Sequence, residues 1–323
     1  VRTQTYSGAA FALYGLEEME SKAPPIIESS QIAGRITPEA AEATGLAAGT
    51  PVVASLHDVD ACAIGIGCTR PGQLSMMAGT FSINQVISDQ PMIYPRWACR
   101  NFVRHGQWMN MSISPASAAN LDWFVQEFCQ LDLEQAREQN RHPFAFVNEE
   151  IAAVLDEPSS VIFLPFLYGS PYGNIPSATF VGLRGWHNRG HVMRAIYEGV
   201  AFNHRTHIDA LRSAFEAHEV RVTGGGSRSE IWAQTFADSF GLPVITTEAR
   251  ESGALGAVIC AGIGAGVYVS LEDAVEQTVR TVRVYEPQPA RQAMLDQTYQ
   301  VFTQIVDALK PVWADVEQRA NNG

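Results

Sequence analysis

The side chains best placed to do chemistry fall in two stretches. One is Pro51-Val-Val-Ala-Ser-Leu-His-Asp58-Val-Asp60-Ala-Cys-Ala-Ile-Gly65-Ile-Gly67. Its pattern predicts a buried strand, an acidic turn and a glycine-bearing apolar helix. A carboxylate at the carboxyl edge of a sheet stands where α/β proteins place ligands, and the rigid strand behind it suits a general base. The other is Val222-Thr-Gly224-Gly225-Gly226-Ser227-Arg-Ser229-Glu-Ile-Trp232, with glycines where the acid was. A strand that stops at glycines lets backbone N–H groups approach a ligand and leads into a helix N-terminus, the makings of a nucleotide seat. Asp58 and Asp60 also have a plainer reading as helix N-terminal acids, worth ~0.5–1 kcal/mol each. The residues by themselves favour that plainer reading; Asp58, the first of the two, lies nearer the strand edge.

Other groups carry weaker signals. Gly79-Thr80 is by default a turn, and alternatively a phosphate clamp in which an amide and a hydroxyl grip the ligand. Glu251-Ser-Gly253-Ala254-Leu255-Gly256-Ala257 reads most simply as tight helix packing, with small residues letting backbones approach. His204 and His207 are three apart and His187 and His191 four apart, but no carboxylate or cysteine completes a zinc set, so they are taken as surface or core histidines. There is no G-x-S-x-G nucleophile elbow. The only lysines, Lys22 and Lys310, follow no glycine run, so a G-x-x-x-x-G-K-[ST] phosphate loop is absent.

Hydrophobic periodicity and punctuation supply the elements that must hold these groups. Thr37-Pro38 before Ala40 and Gly45 after it cap a short helix. A strand is expected over Pro51–Leu56 and a short helix near Gly15–Met19. Gln73–Ala78 and Ile83–Ser88 alternate around Gly79-Thr80-Phe81-Ser82 as a hairpin. Further strands are expected over Gln107–Ile113, Val161–Leu167, Glu219–Thr223 and Leu242–Thr246. Helices are expected over Ala116–Phe128, His191–Ala217, Ser229–Phe240, Ser252–Gly264 and Arg291–Val316. Strands alternating with helices argue for an α/β fold with mixed sheets.

Composition narrows the function further. At 323 residues the chain has room for two domains. A net charge of -12 leaves no basic stripe for nucleic acid. No run of 18 apolar residues offers a membrane span, and the polar first residues are no secretory signal. Five scattered cysteines, Cys62, Cys68, Cys99, Cys129 and Cys260, fit reduced thiols of a cytoplasmic protein. A start at Val1 rather than methionine suggests processing or a fragment.

Taken in order, Asp58-Val-Asp-Ala-Cys-Ala-Ile-Gly, Gly79-Thr80, Phe163-Leu-Pro-Phe-Leu-Tyr-Gly, Arg194-Ala-Ile-Tyr-Glu198-Gly, Gly224-Gly225-Gly226 with Trp232 and Ala237-Asp238, and Ala254-Leu255-Gly256-Ala257 resemble the FGGY carbohydrate kinases. Within that family the chain is most similar to the xylulose kinase group, L-xylulose kinases in particular. The order of the motifs, more than any one of them, makes the likeness specific, and it covers nearly the whole chain.

The resemblance implies an actin-like or hexokinase-like (ribonuclease H-like) α/β sugar kinase fold of two domains. Residues 1–68 would be the end of the first, sugar-binding domain and 69–323 the second, nucleotide-binding one. It implies ATP-dependent phosphorylation of a sugar, a pentulose such as xylulose, with Mg²⁺ and ATP as cofactors and a homodimer as the assembly to test. Asp58 matches the catalytic base and contacts the sugar. Gly79 and Thr80 match a phosphate-contacting turn, Gly225 and Ser229 the adenine side, Gly224 beside them a nucleotide-binding position, and Ala118 and Asp122 a further nucleotide-contacting stretch. Ser229 stands where asparagine is common, and Phe81-Ser82 replaces the usual Ser-Gly. No residue is matched to a metal. Relatives are longer and open on a D-x-G-T-type hairpin that this sequence lacks, so the chain is expected to correspond to the C-terminal two-thirds of a sugar kinase. The competing expectation is a truncated, non-catalytic nucleotide-binding or scaffold relative.

Overall fold

A computed structural model describes residues 1–142 and 144–321. Along the chain lie α1 (Gly8–Leu13), β1 (Ile32–Arg35), α2 (Pro38–Thr44), β2 (Pro51–Val53), α3 (Asp58–Gly65), β3 (Gly72–Ala78), β4 (Ser82–Ser88), β5 (Ala98–Asn101) and β6 (Trp108–Ser114). The helices α4 (Ala119–Phe128), α5 (Gln130–Glu138) and α6 (Ala145–Val154) follow, then β7 (Ile162–Leu164), β8 (Thr179–Val181), α7 (Arg189–Arg212) and β9 (Ala217–Thr223). The last are α8 (Glu230–Phe240), β10 (Val244–Thr247), α9 (Ser252–Gly264), α10 (Leu271–Thr278), β11 (Thr281–Tyr285) and α11 (Pro289–Asn321).

The strands of the seven-stranded sheet run in the order β11-β10-β9-β3-β4-β6-β5. β9 and β10 are parallel, as a strand–helix–strand crossover through α8 requires, and β11 closes antiparallel on β10. Two compact units can be distinguished. The first takes Val1–Gln73, Val86–Asn110 and Glu248–Arg280; the second takes Leu74–Gln85, Met111–Thr247 and the chain from Thr281.

In the first unit β1 and β2 pair antiparallel, with Ile32 opposite Val53. Its core gathers Ile64, Ile66, Ile87, Phe102, Met109, Ile259 and Leu271. The expected strand from Pro51 to Leu56 stops early, at Val53, because Ser55 turns to a φ of 81°. A left-handed non-glycine residue cannot continue a strand. Asp58 therefore follows a four-residue connection rather than the strand itself, and opens α3. The helix expected near Gly15–Met19 is also displaced: α1 ends before Gly15, whose φ of 65° breaks the path, and a 3-10 turn covers Glu17–Lys22.

In the second unit α7 is the central helix. It is buried along most of its length, begins at the Asn188 capping box and carries the inward Ile196, Val200 and Ile208. A cluster of Phe166, Phe202, Phe302 and Trp313 joins β7 and α7 to α11. Asp238, fully buried on α8, fixes the approach to α11: it accepts from the Gln288 backbone N–H at 2.8 Å and from Arg291 Nε at 3.0 Å. Arg194 and Glu198 form a buried i,i+4 pair, and Arg194 also donates to the carbonyls of Val154 and Glu157, tying α7 to the end of α6.

Candidate functional site

In the first unit the Asp58 helix is placed by backbone contact. A Cβ on Gly256 would lie 1.9 Å from the Ala61 carbonyl oxygen, and one on Gly65 would lie 1.9 Å from that of Ser252. Small residues on α3 and α9 thus let the two backbones touch, as the sequence around Gly256 suggested. Asp58 and Asp60, two apart in the first turn of α3, meet different fates. The Asp58 side chain is 87% exposed; it accepts from the Val59 N–H at 2.8 Å and lies 2.9 Å from His57 Nδ1. Asp60 is buried and held by both terminal nitrogens of Arg100, the longer contact at 2.7 Å. Burial raises its pKa above the ordinary carboxylate value, with Arg100 opposing the rise. Asp60 is therefore engaged as a structural ion-pair partner, and Asp58 is the carboxylate open to a reactant.

In the second unit the structure brings Gly79, Thr80, Ala118 and Gly224 together at the β3–β4 turn. Gly79 and Thr80 form its tip, with Thr80 exposed. The Ala118 N–H donates to the Gly79 carbonyl at 2.8 Å, so the start of α4 is stitched to the turn. Gly224, with φ 92°, presses on the same place: a Cβ there would lie 2.8 Å from the Ala78 oxygen and 3.2 Å from the Gly79 nitrogen. Gly225 differs. A Cβ on it meets nothing within 4 Å, so the chain leaves open space above an exposed backbone. The glycines open a 3-10 turn over Gly225–Arg228 rather than α8 directly, and Ser229 then caps α8. Asp122, at the surface in the first turn of α4, has its pKa raised by the atoms crowded around the carboxyl.

Ser229 is more occupied than its sequence position implied. Its hydroxyl accepts from the Trp232 N–H at 3.2 Å and donates to Asn148 Oδ1 at 2.7 Å. Tyr197 also donates to Asn148 Oδ1, at 3.0 Å, while its ring stacks on Trp232 at 4.2 Å. Asn148, on α6, was missed by the sequence reading. Nothing in its neighbourhood in the chain signals a partner 81 residues away.

The sequence takes His204 and His207 as surface or core histidines. Both are buried on α7. His204 Nδ1 lies 2.9 Å from Asn84 Oδ1 and 3.1 Å from Ser82 Oγ, and its Nε2 lies 3.0 Å from Ser117 Oγ. His207 reaches Ser112 at 2.8 Å and Ser114 at 2.9 Å, both on β6. Burial, with His207 adding to it, pushes the His204 pKa down to about 3, so its ring is neutral at working pH.

Among the described residues no group of three His, Cys, Asp or Glu side chains is arranged to hold a metal ion. A Mg²⁺ cage needs several oxygens, and here Asp60 is engaged by Arg100 while Asp58 stands as a single open carboxylate. All five cysteines are free. No helix among the described residues is long and apolar enough to cross a membrane.

Comparison with known proteins gives a consistent result. Residues 74–265 match the C-terminal domain of the FGGY family of carbohydrate kinases, and residues 1–65 its N-terminal domain. The chain is 32% identical over 312 residues to the L-xylulose/3-keto-L-gulonate kinase of Escherichia coli strain K12, covering 94% of this chain and 59% of that protein. It is 36% identical over 315 residues to a probable L-xylulose kinase of Pasteurella multocida, covering 96% and 61%. Its structure resembles that of a xylulose kinase from Rhodospirillum rubrum, with a TM-score of 0.83 at 28% identity, covering 94% of this chain and 61% of that one. Plasmodium falciparum glycerol kinase, solved with ADP, shares the fold at a TM-score of 0.77 and 17% identity, covering 93% and 59%. The fold is thus that of the sugar kinases, and the chain spans about 60% of the length of the curated relatives it matches.

Proposed function

The chain belongs to the FGGY family of carbohydrate kinases, and from that premise we propose that it serves in the transfer of the γ-phosphoryl group of ATP to a hydroxyl of a pentulose such as xylulose. The observation that carries the reading is the meeting of Gly79, Ala118 and Gly224 around one turn, next to the open space over Gly225. Backbone N–H groups at such a turn bind phosphate without a lysine, which suits a chain with two lysines. The choice of a pentulose is supported by the L-xylulose kinase relatives.

In this reading residues 1–68 close the sugar-binding domain and 69–323 form the nucleotide-binding one. Asp58 is the general base: as the sugar hydroxyl attacks phosphorus and the bond to the β-phosphate oxygen breaks, Asp58 takes the hydroxyl proton. Exposure leaves its second oxygen free for that contact. Gly79 and Thr80 steady the phosphates, and Gly225, Ala118 and Asp122 border the nucleoside. Ser229 acts from one step back, by fixing Asn148 and the start of α8. Mg²⁺, carried in by the nucleotide, supplies charge neutralisation when bound.

Coupled detection of ADP over a panel of pentuloses, hexuloses and polyols tests this. ADP release that depends on a pentulose is the expected result. Release that no sugar stimulates, or that only an aldose or polyol stimulates, would sink the assignment.

A further inference from the structure

The geometry points to His204 as a positioning residue for the phosphate turn, a role that rests on the nucleotide reading of Gly79 and Thr80 given above. Two segments flank that turn. Ser82 begins β4, two residues after Thr80, and Ser117 immediately precedes Ala118, whose N–H holds the Gly79 carbonyl. His204 is bonded to both flanks at once.

The protonation pattern follows from the partners. Asn84 Nδ2 donates to Ser82 Oγ at 3.1 Å, so Asn84 Oδ1 is left as an acceptor facing His204 Nδ1. Nδ1 therefore carries the proton. In the neutral ring Nε2 is then an acceptor, and Ser117 donates to it. One imidazole thus reads as a donor toward the β4 side and an acceptor toward the α4 side. A charged ring would have no acceptor to offer Ser117, and burial keeps the ring neutral.

Its support is a buried helix: α7 is seated in the core along most of its length, and Gly199 brings it so near the Phe163 backbone that a Cβ there would lie 2.3 Å from the carbonyl oxygen. The consequence is a fixed distance between the start of β4 and the start of α4, across which the phosphates would be gripped. His207, three residues on, is also buried but bonds to Ser112 and Ser114 on β6 rather than to Ser82 or Ser117. It provides the internal control.

The test compares His204→Phe with His207→Phe in the otherwise intact protein, by calorimetric titration with ADP and by steady-state kinetics. Both substitutions remove buried hydrogen bonds and should lower thermal stability to a similar extent. A loosened turn costs alignment, so His204→Phe should weaken ADP binding and raise the KM for ATP by at least ~10-fold. The KM for sugar should not move, and His207→Phe should leave both constants near wild type. Equal effects of the two substitutions on nucleotide affinity would reduce His204 to a core residue and overturn the proposal. If His204→Phe does not fold, Ser117→Ala decides, since it removes one donor and little volume: weakened ADP binding supports the role, and unchanged binding overturns it. A wild-type protein that binds no ADP would refute the nucleotide reading itself, an outcome distinct from either.

Discussion

Gly256 and Ala61 touch backbone to backbone: a single methyl on the glycine would sit 1.9 Å from the Ala61 carbonyl oxygen. That contact sets the position of α3, and α3 begins at Asp58. An exposed carboxylate owes its placement to a buried glycine on α9, 198 residues further along the chain. Helix propensity alone would disfavour glycine there by roughly 1 kcal/mol relative to alanine. Close approach of the helices is what outweighs it.

Gly256→Ala should therefore be destabilising although alanine is the better helix former. Overpacking against backbone, which cannot swing away as a side chain can, typically costs about 1–3 kcal/mol. The expected result is a lowered urea midpoint at unchanged m value, together with a reduced kcat as α3 shifts. A variant as stable as wild type would show that α3 and α9 have room to separate.

Asp58→Asn and Asp60→Asn should separate chemistry from architecture. Loss of a positioned proton acceptor lowers kcat by at least ~10²-fold, and nucleotide affinity and stability should change little. At Asp60 the order reverses: breaking a buried ion pair costs on the order of 3 kcal/mol, because Arg100 loses the carboxylate that holds both its terminal nitrogens. The folded Asp60 variant should keep much of its kcat. An active Asp58→Asn protein beside an inactive, folded Asp60→Asn protein would exchange the two roles.

Local chemistry made some of this readable and long-range contact hid the rest. Thr37 caps α2 by accepting from the Ala40 N–H at 3.2 Å, and Gly45 ends it at φ 75°, as the residues themselves announce. The bounds of α9 match the expected Ser252–Gly264, since small and apolar residues run unbroken there. β8, by contrast, is three residues in a glycine- and proline-rich stretch, and exists through its pairing with β7, Phe163 opposite Phe180. No local pattern encodes that pairing. The polar α5 and the weakly periodic α6 were likewise passed over. Asp58 by type alone reads as a helix N-terminal acid, whereas the glycines around the turn stand out by type. His204 does not, because its meaning comes from serines 87 and 122 residues distant.

Neighbouring glycines should respond in opposite ways. Gly224→Ala puts a Cβ at φ 92° and 2.8 Å from the Ala78 oxygen, so it should cost stability before it affects any ligand. Gly225→Val meets nothing in the protein within 4 Å, so the fold should be preserved while the added side chain fills the space over the backbone. Thermal unfolding paired with ADP titration reads both. Unchanged ADP affinity in a folded Gly225→Val protein would remove this turn from the nucleotide site.

His204 should also leave a signature in acid stability. Its pKa falls from an ordinary 6.5 in the unfolded chain to about 3 in the folded protein. Between those values the unfolded chain binds a proton that the folded protein refuses, so stability declines as pH drops through that window and is fully present above it. The linked free energy across the window is on the order of 4–5 kcal/mol, an upper figure for a fully buried ring. Urea denaturation from neutral pH downward should show a falling midpoint in the wild type, and a shallower fall in His204→Phe, which has no proton to gain at that position. Identical slopes in the two proteins would mean that carboxylates elsewhere dominate the acid transition and that the buried imidazole does not resist protonation.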